Sequence, residues 1–390
     1  MLIKNAKILT MAGRTIENGY LIIGNGKIVE IGSMDEIPMG GFGEEIDAKG
    51  SFVLPGFIDA HCHVGMWEDG VGFEGIDGNE MTDPVTPQLR AIDAIYHADR
   101  AFVEAREGGV TTVVTGPGSA NVLGGQFAAV KTYGRSVDEM VVKEPIAMKA
   151  AFGENPKRVY NSKSKMPMTR MATAAMLRET LIKAKNYKTA IDNYNRDSEK
   201  NKKPEFDFKL DSLLGVVSGD VIMKAHAHRA DDILTAIRIA KEFGIRITLD
   251  HCTEGYLIKD ILAEEGYPAI LGPLLSDRSK IELKNADLKG PGILSKAGVR
   301  VAIMTDHPVI PVQYLCLSAA MAAKAGMDEE EALKAITINA AQITGIDNRV
   351  GSIECGKDAD VVIFNTHPFD LKAKVLYTII SGKIIYKADV

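Results

Sequence analysis

Strand and helix signals alternate through the middle of this chain, and that alternation constrains the fold more than any other feature. Gly109-Val110-Thr111-Thr112-Val113-Val114-Thr115 is a β-branched run after a helical stretch. Residues 145–152 read as a strand, as do 221–226, followed by Asp231-Asp232 and a helix over 233–243 that Gly244 ends. Strands at 245–250, 269–271 and 299–305 continue the series. The helix after Asp328-Glu329-Glu330-Glu331 opens on an acidic turn, which suits the helix dipole, and ends near Gly345. Repeated units of this kind mean an α/β fold, with a parallel sheet covered by helices. Fewer than eight strands are plain in the sequence, so closure into a barrel is an inference.

The two ends read differently. Gly24-Asn25-Gly26 separates Leu21-Ile22-Ile23 from Lys27-Ile28-Val29-Glu30-Ile31, a hairpin pattern. Residues 360–364 and 375–380 are strands, and Ser381-Gly382 turns into Lys383-Ile384-Ile385-Tyr386. This predicts a small β-sandwich assembled from both termini, with two unrelated β caps as the alternative. The boundaries are then 1–55 and 348–390 for the sandwich and 56–347 for the barrel. The polar segment 186–209, rich in Lys and Asn, reads as a surface excursion near one rim.

The 390 residues are 46% hydrophobic and 25% charged, enough for one large core and a small one. A formal net charge of −6 argues against a nucleic-acid partner. No apolar run approaches the roughly 18 residues that span a bilayer, so no membrane partner is expected. Met1-Leu2-Ile3-Lys4-Asn5-Ala6-Lys7 has no apolar core of leader length. Cys62, Cys252, Cys316 and Cys355 show no framework spacing. They are expected to be reduced and the protein cytoplasmic. Cys62 and Cys252 adjoin candidate ligands and read as small apolar residues facing the helix layer.

His61-Cys62-His63 closes the apolar run 52–60. Residues two apart on a strand point the same way, so two imidazoles face one side at a strand end. A lone His-x-His is weak evidence for a metal. His226, His251 and Asp306 also end predicted strands, where parallel barrels carry their active sites. Singly, each has a plainer reading as a satisfied polar residue or helix cap. Five such residues over four strand ends form a constellation. Imidazoles and carboxylates suit zinc and similar ions with a position left for water. A metal lowers the pKa of that water, and a neighbouring carboxylate can carry its proton to the leaving group.

The chain resembles the amidohydrolase superfamily, and within it the metal-dependent hydrolases related to imidazolonepropionase. The resemblance spans nearly the whole chain. It rests on the terminal strands, Pro55-Gly56-Phe57-Ile58-Asp59-Ala60-His61-Cys62-His63, Gly109-Val110-Thr111-Thr112, Ala225-His226-Ala227-His228, Thr305-Asp306-His307-Pro308 and Gly356-Lys357-Asp358-Ala359-Asp360. It implies a (β/α)8 TIM-like barrel and a homo-oligomer. It also implies one or two divalent metals, zinc first with iron or manganese as alternatives, and hydrolysis by metal-activated hydroxide. By that match His61 and His63 hold one metal, and His226 and His251 the second. Asp306 binds metal and moves the proton, and with His251 makes up the catalytic pair. Many relatives bridge two metals with a carboxylated lysine from the fourth strand. Here Ile146, Met148, Ala150 and Phe152 share one face of that strand, while Ala147, Lys149 and Ala151 face the interior. A buried lysine is costly unless paired or modified, so Lys149 is preferred as the bridge. Glu154 is the rival; it could equally orient substrate or cap a helix. Lys224 has the same inward parity and is expected to pair with Asp59.

The loops carry Lys157, Arg158, Arg170, Arg229, Arg278 and Lys280. Arg229 lies just beyond His226 and His228, and arginine suits carboxylate or phosphate. A small-molecule substrate with an anionic group beside the scissile bond is expected, with Glu154, Arg158, His228 and Arg229 as candidate contacts. Thr169 and His307 are further candidates. Many deaminase and imidazolone-hydrolysing relatives place a glutamate three residues beyond the fifth-strand histidine, where this chain has Arg229. That departure weakens both assignments and leaves open which group protonates the leaving nitrogen. The expected reaction is cleavage of a carbon–nitrogen bond, other than a peptide bond, in a small amide, cyclic amide or dipeptide-like substrate. An N-acyl amino-sugar deacetylase or a dipeptidase is the alternative. A non-catalytic scaffold with this fold is the alternative from another class.

Overall fold

Eight strands from the middle of the chain lie side by side in one sheet, in sequence order. They are β1 (Phe57–Cys62), β2 (Val110–Thr115), β3 (Leu123–Lys131), β4 (Val141–Ala151), β5 (Ile222–Ala227), β6 (Ile247–His251), β7 (Ala269–Leu271) and β8 (Val301–Ile303). The computed structural model describes residues 1–68 and 72–389. β1 runs parallel to β2, and β4 through β8 are mutually parallel. β3 corrects the expectation of a uniform (β/α)8 repeat, because it is antiparallel to both neighbours. Only residues 116–122 join β2 to β3, too few for the crossover of a dozen or more residues that a parallel return needs. At the carboxyl ends of β8 and β1, His63 N–H donates to His307 O at 3.0 Å and Asp306 N–H to His61 O at 3.3 Å. The sheet is thereby a nearly closed barrel.

Helices cover its outer face. Ala230–Phe243 buries Ile233, Ala236, Ile237 and Ala240 at helical spacing and ends at Gly244 with φ +62°. Helix Arg170–Arg196 runs through the first half of the surface segment 186–209. Thr173, Ala174, Leu177, Leu181 and Ala184 anchor that helix. Its polar continuation carries i,i+4 ion pairs, Lys183–Glu179 and Lys188–Asp192.

The strands of both termini form one hydrogen-bonded sheet, joined where Phe52–Pro55 pairs antiparallel with Val361–Phe364. The predicted hairpin is present, with Asn25 and Gly26 both at positive φ, as its tight turn requires. Ile3, Leu21, Val53, Val361, Ile363 and Ile379 share one apolar cluster. An ion network ties this sheet to the barrel. Buried Lys131 at the end of β3 meets Asp360, and lies 3.0 Å from Asp358. Among the described residues no helix is long and apolar enough to cross a membrane. Cys62, Cys252 and Cys316 are free and buried, and Cys355 is free and exposed.

Candidate metal centre

Four histidines at the carboxyl ends of β1, β5 and β6 are each anchored through Nδ1. His61 Nδ1 lies 2.6 Å from Asp250 Oδ2, His63 Nδ1 2.7 Å from Gly116 O, and His251 Nδ1 2.9 Å from Gly272 O. His228 Nδ1 is 2.8 Å from Thr253 Oγ1. A carbonyl can only accept, so Nδ1 of His63 and of His251 donates. The Nε2 atoms of His61 and His63 converge. His63 Nε2 is 3.3 Å and His61 Nε2 3.7 Å from Asp306 Oδ1.

Two donor groups result, one of His61, His251 and Asp306 and one of His226, His228 and His251, each with its ligand atoms within 4.8 Å of one another. Burial, and then neighbouring imidazoles and cations, hold His61, His226 and His251 well below the usual imidazole range; burial and then Lys280 do so for His228. Neutral imidazole is the form that binds metal. His226 Nδ1 is buried with no hydrogen-bond partner among the described residues, and its Nε2 is 3.5 Å from Asn155 Nδ2. The donor set and this orphaned nitrogen both fit a divalent ion.

Lys149 is inside the barrel, with Nζ 3.0 Å from His61 Nε2 and 5.5 Å from the centre of the Phe127 ring. Burial pushes its pKa down to about 8 against the opposing pull of Asp250 and Asp306. Lys224 stands beside it in register but does not pair with Asp59. It lies 3.1 Å from Asp250 and donates to Ala60 O at 3.0 Å, because β6 is the strand next to its own. Asp59 instead accepts from the Thr305 hydroxyl and backbone and from His61 N–H, and burial raises its pKa to about 7. That bonding fixes the turn that presents Asp306, whose φ is +54°.

The candidate substrate residues are not all brought here. Glu154 accepts from Glu282 N–H at 3.3 Å and belongs to neither donor group. Arg158 is exposed on a helix. The Arg229 guanidinium is forked onto Asp231, with both contacts at 3.0 Å. Arg170 is held by Asp232, whose two carboxylate oxygens both accept from its Nε. Thr169 caps the following helix, and His307 accepts from Val312 N–H. Arg278 instead lines a cavity of about 330 Å³ beside His251, Thr253 and Pro273. A cavity of about 610 Å³ lies at the opposite end of the strands, among Ile222, Ile247 and Val301, away from the histidines. Sequence reasoning missed Asp250, Thr253, Asn155 and Glu282 as neighbours of this centre.

The amidohydrolase family model matches residues 52–385. An amidohydrolase of Hapsidospora irregularis, tasK, is 29% identical over 86% of this chain, which spans only 36% of that protein's length. Imidazolonepropionase of Psychromonas ingrahamii is 25% identical over 99% of this chain and 98% of its own. The crystal structure of an amidohydrolase from Thermotoga maritima MSB8 superposes with a TM-score of 0.95 at 43% identity, covering 99% of this chain and 100% of that chain.

Proposed function

The chain belongs to the amidohydrolase family, and on that premise we propose that it uses a divalent metal to hydrolyse a carbon–nitrogen bond in a small amide, cyclic amide or dipeptide-like molecule. The observation that carries this reading is the set of anchored imidazoles gathered around Asp306. His61, His63 and Asp306 would hold one ion, and His226, His251 and His228 a second, with zinc favoured by the donor chemistry. Such an ion lowers the pKa of a bound water towards neutrality and polarises the carbonyl under attack.

The protein's own groups do the rest. Asp306 takes the proton of the attacking water and passes it to the leaving nitrogen. Asp250 keeps the His61 ring oriented, as Gly116 O and Gly272 O do for His63 and His251. Lys149, with its lowered pKa, has a share of neutral amine available for carboxylation, which would make it the anion between two ions. An anionic substrate end meets Arg278 rather than Arg229, whose guanidinium is already shared with Asp231.

Elemental analysis of wild type and Lys149→Ala, both prepared with bicarbonate, tests the ion count. Two ions per chain, falling in the variant, support the bridge; one unaffected ion removes Lys149 from the centre. Absence of bound metal, with no activation by zinc, manganese or iron, refutes the reading. Hydrolysis of matched acidic and neutral amides tests the anionic preference, and faster cleavage of the neutral ones defeats it.

A further inference from the structure

The cavity of about 610 Å³ at the amino ends of the barrel strands belongs to no part of the metal centre. Two arginines line it, Arg246 immediately before β6 and Arg300 immediately before β8. Their backbones are fixed in the strand ladder. Arg246 O accepts from Met223 N–H at 2.9 Å and Arg300 O from Ala269 N–H at 3.0 Å. Both have inward parity. Arg246 alternates with Thr248 and Asp250, and Asp250 meets Lys224 inside the barrel. Arg300 alternates with Ala302 and Met304, which share an inner cluster with Ile58, Ala60 and Phe127.

Neither guanidinium has an ion-pair partner among the described residues; Arg246 Nη1 donates to Gly219 O at 3.4 Å. Arg170, Arg178, Arg229 and Arg349, by contrast, each sit on a carboxylate. Glu331, the acid in the cavity lining, is engaged by Lys334 at 3.0 Å. In a chain of net charge −6 this leaves a local excess of positive charge.

β7 alone separates β6 from β8, so the two arginines stand two strand spacings apart, about 10 Å. Two long side chains reaching inward from that spacing can close on one anion. One guanidinium fork occupies both oxygens of a carboxylate, whereas a phosphate monoester offers three terminal oxygens and up to two charges, enough for two forks. Helix Ile338–Thr344 supplies another wall, tied to β8 by Asn339 Nδ2, which donates to Val301 O at 3.2 Å. Gln342 adds an amide, and Tyr267, Pro268 and Ile343 an apolar surface. The volume suits a small molecule rather than a bare ion. We propose that this cavity binds a phosphate monoester of a small organic molecule. Its phosphate lies between Arg246 and Arg300, and its organic part against Tyr267 and Ile343. The site is separate from the metal-dependent reading above and stands or falls without it.

Calorimetry on the purified protein at low ionic strength measures binding of glucose 6-phosphate and phenyl phosphate, with glucose and phenol as their unphosphorylated parents. At least one ester is expected to bind, and neither parent. Arg246→Met and Arg300→Met should each weaken the ester about tenfold or more, the loss of a charge-assisted contact. Arg196→Met removes the same charge from the exposed end of helix Arg170–Arg196 and should change nothing. Gln342→Glu, at an exposed helix position, keeps both arginines and should weaken binding by repulsion. No binding of either ester overturns the proposal, as does equal binding of the parents. Affinity that survives both arginine substitutions overturns it too and places the phosphate at the metal centre. An equal loss in Arg196→Met shows a general charge effect and overturns it. Undiminished affinity in Gln342→Glu overturns it even where an arginine variant fails to fold.

Discussion

His61 Nδ1 and Asp250 Oδ2 lie 2.6 Å apart, both wholly buried, and the same carboxylate oxygen is 3.1 Å from Lys224 Nζ. One carboxylate therefore orients a candidate ligand and neutralises a lysine inside the barrel. Asp250→Asn separates these duties. Metal affinity should fall about 10- to 100-fold, as for other carboxylates that orient a ligating histidine. Stability should fall by about 3–5 kcal/mol, because Lys224 is left charged and unpaired. Adding Lys224→Met should restore most of the stability and none of the metal affinity. Metal titration and thermal melts of the single and double variants check this; a double variant as unstable as the single one defeats it.

Asp306 is the proton carrier in the proposed reaction and stands at φ +54°. Asparagine tolerates that left-handed conformation, so Asp306→Asn changes the chemistry with little backbone strain. Hydrolysis should drop about a hundred- to ten-thousand-fold. The melting temperature of the metal-free protein should move by no more than a degree or so. Turnover of a screened amide together with calorimetry decides it, and near-normal turnover removes Asp306 from the proton path.

Much of this centre was legible because strand parity and strand ends are local properties. His61, His63, His226, His251 and Asp306 needed only the period of two and the ends of predicted strands. β3 was missed because Leu123-Gly124-Gly125-Gln126-Phe127-Ala128-Ala129-Val130-Lys131 is buried along its length, with glycines and alanines in place of the usual β-branched alternation. The inward parity of Lys224 calls for a buried partner without saying which; that Asp250, not Asp59, supplies it follows only from the pairing of β5 with β6. Glu282 sits in a polar loop whose sequence reads as solvated, and its burial is created by the loop before Glu154 and by the end of β5. The contact with Glu154 joins segments more than a hundred residues apart, and no local pattern encodes it.

Gly116 should prove intolerant of a side chain. A Cβ there would lie 2.3 Å from the Phe127 ring, and Gly116 O anchors His63. Phe127 packs 5.2 Å from the His61 ring and beneath both inward lysines. Gly116→Ala is therefore expected to cost about 1–3 kcal/mol by overpacking and to weaken metal binding by shifting His63. Phe127→Leu in the same chain should recover part of the stability. Denaturant unfolding of the two variants tests this; a Gly116→Ala protein as stable as wild type shows that the loop relaxes freely.

The joint between barrel and terminal sheet should be the acid-sensitive part of the fold. Asp358 is buried among Lys27 Nζ at 2.5 Å, Arg349 Nη2 at 2.8 Å and Lys131 Nζ at 3.0 Å. Burial alone pushes its carboxyl up, but Lys131, Lys27 and Arg349 outweigh that and hold it at about 2, below the ordinary 3.8. A folded-state pKa below the unfolded one means that the unfolded chain takes up the proton first as pH falls. The stabilisation, about 2 kcal/mol, is then complete above pH 4 and disappears as pH drops towards 2. Asp358→Asn should lose that increment at neutral pH and show a flatter decline between pH 4 and 2. Urea unfolding of wild type and variant across this range measures both slopes. Parallel slopes would mean that Asp358 titrates alike in the folded and unfolded chain, and that the acid response arises elsewhere.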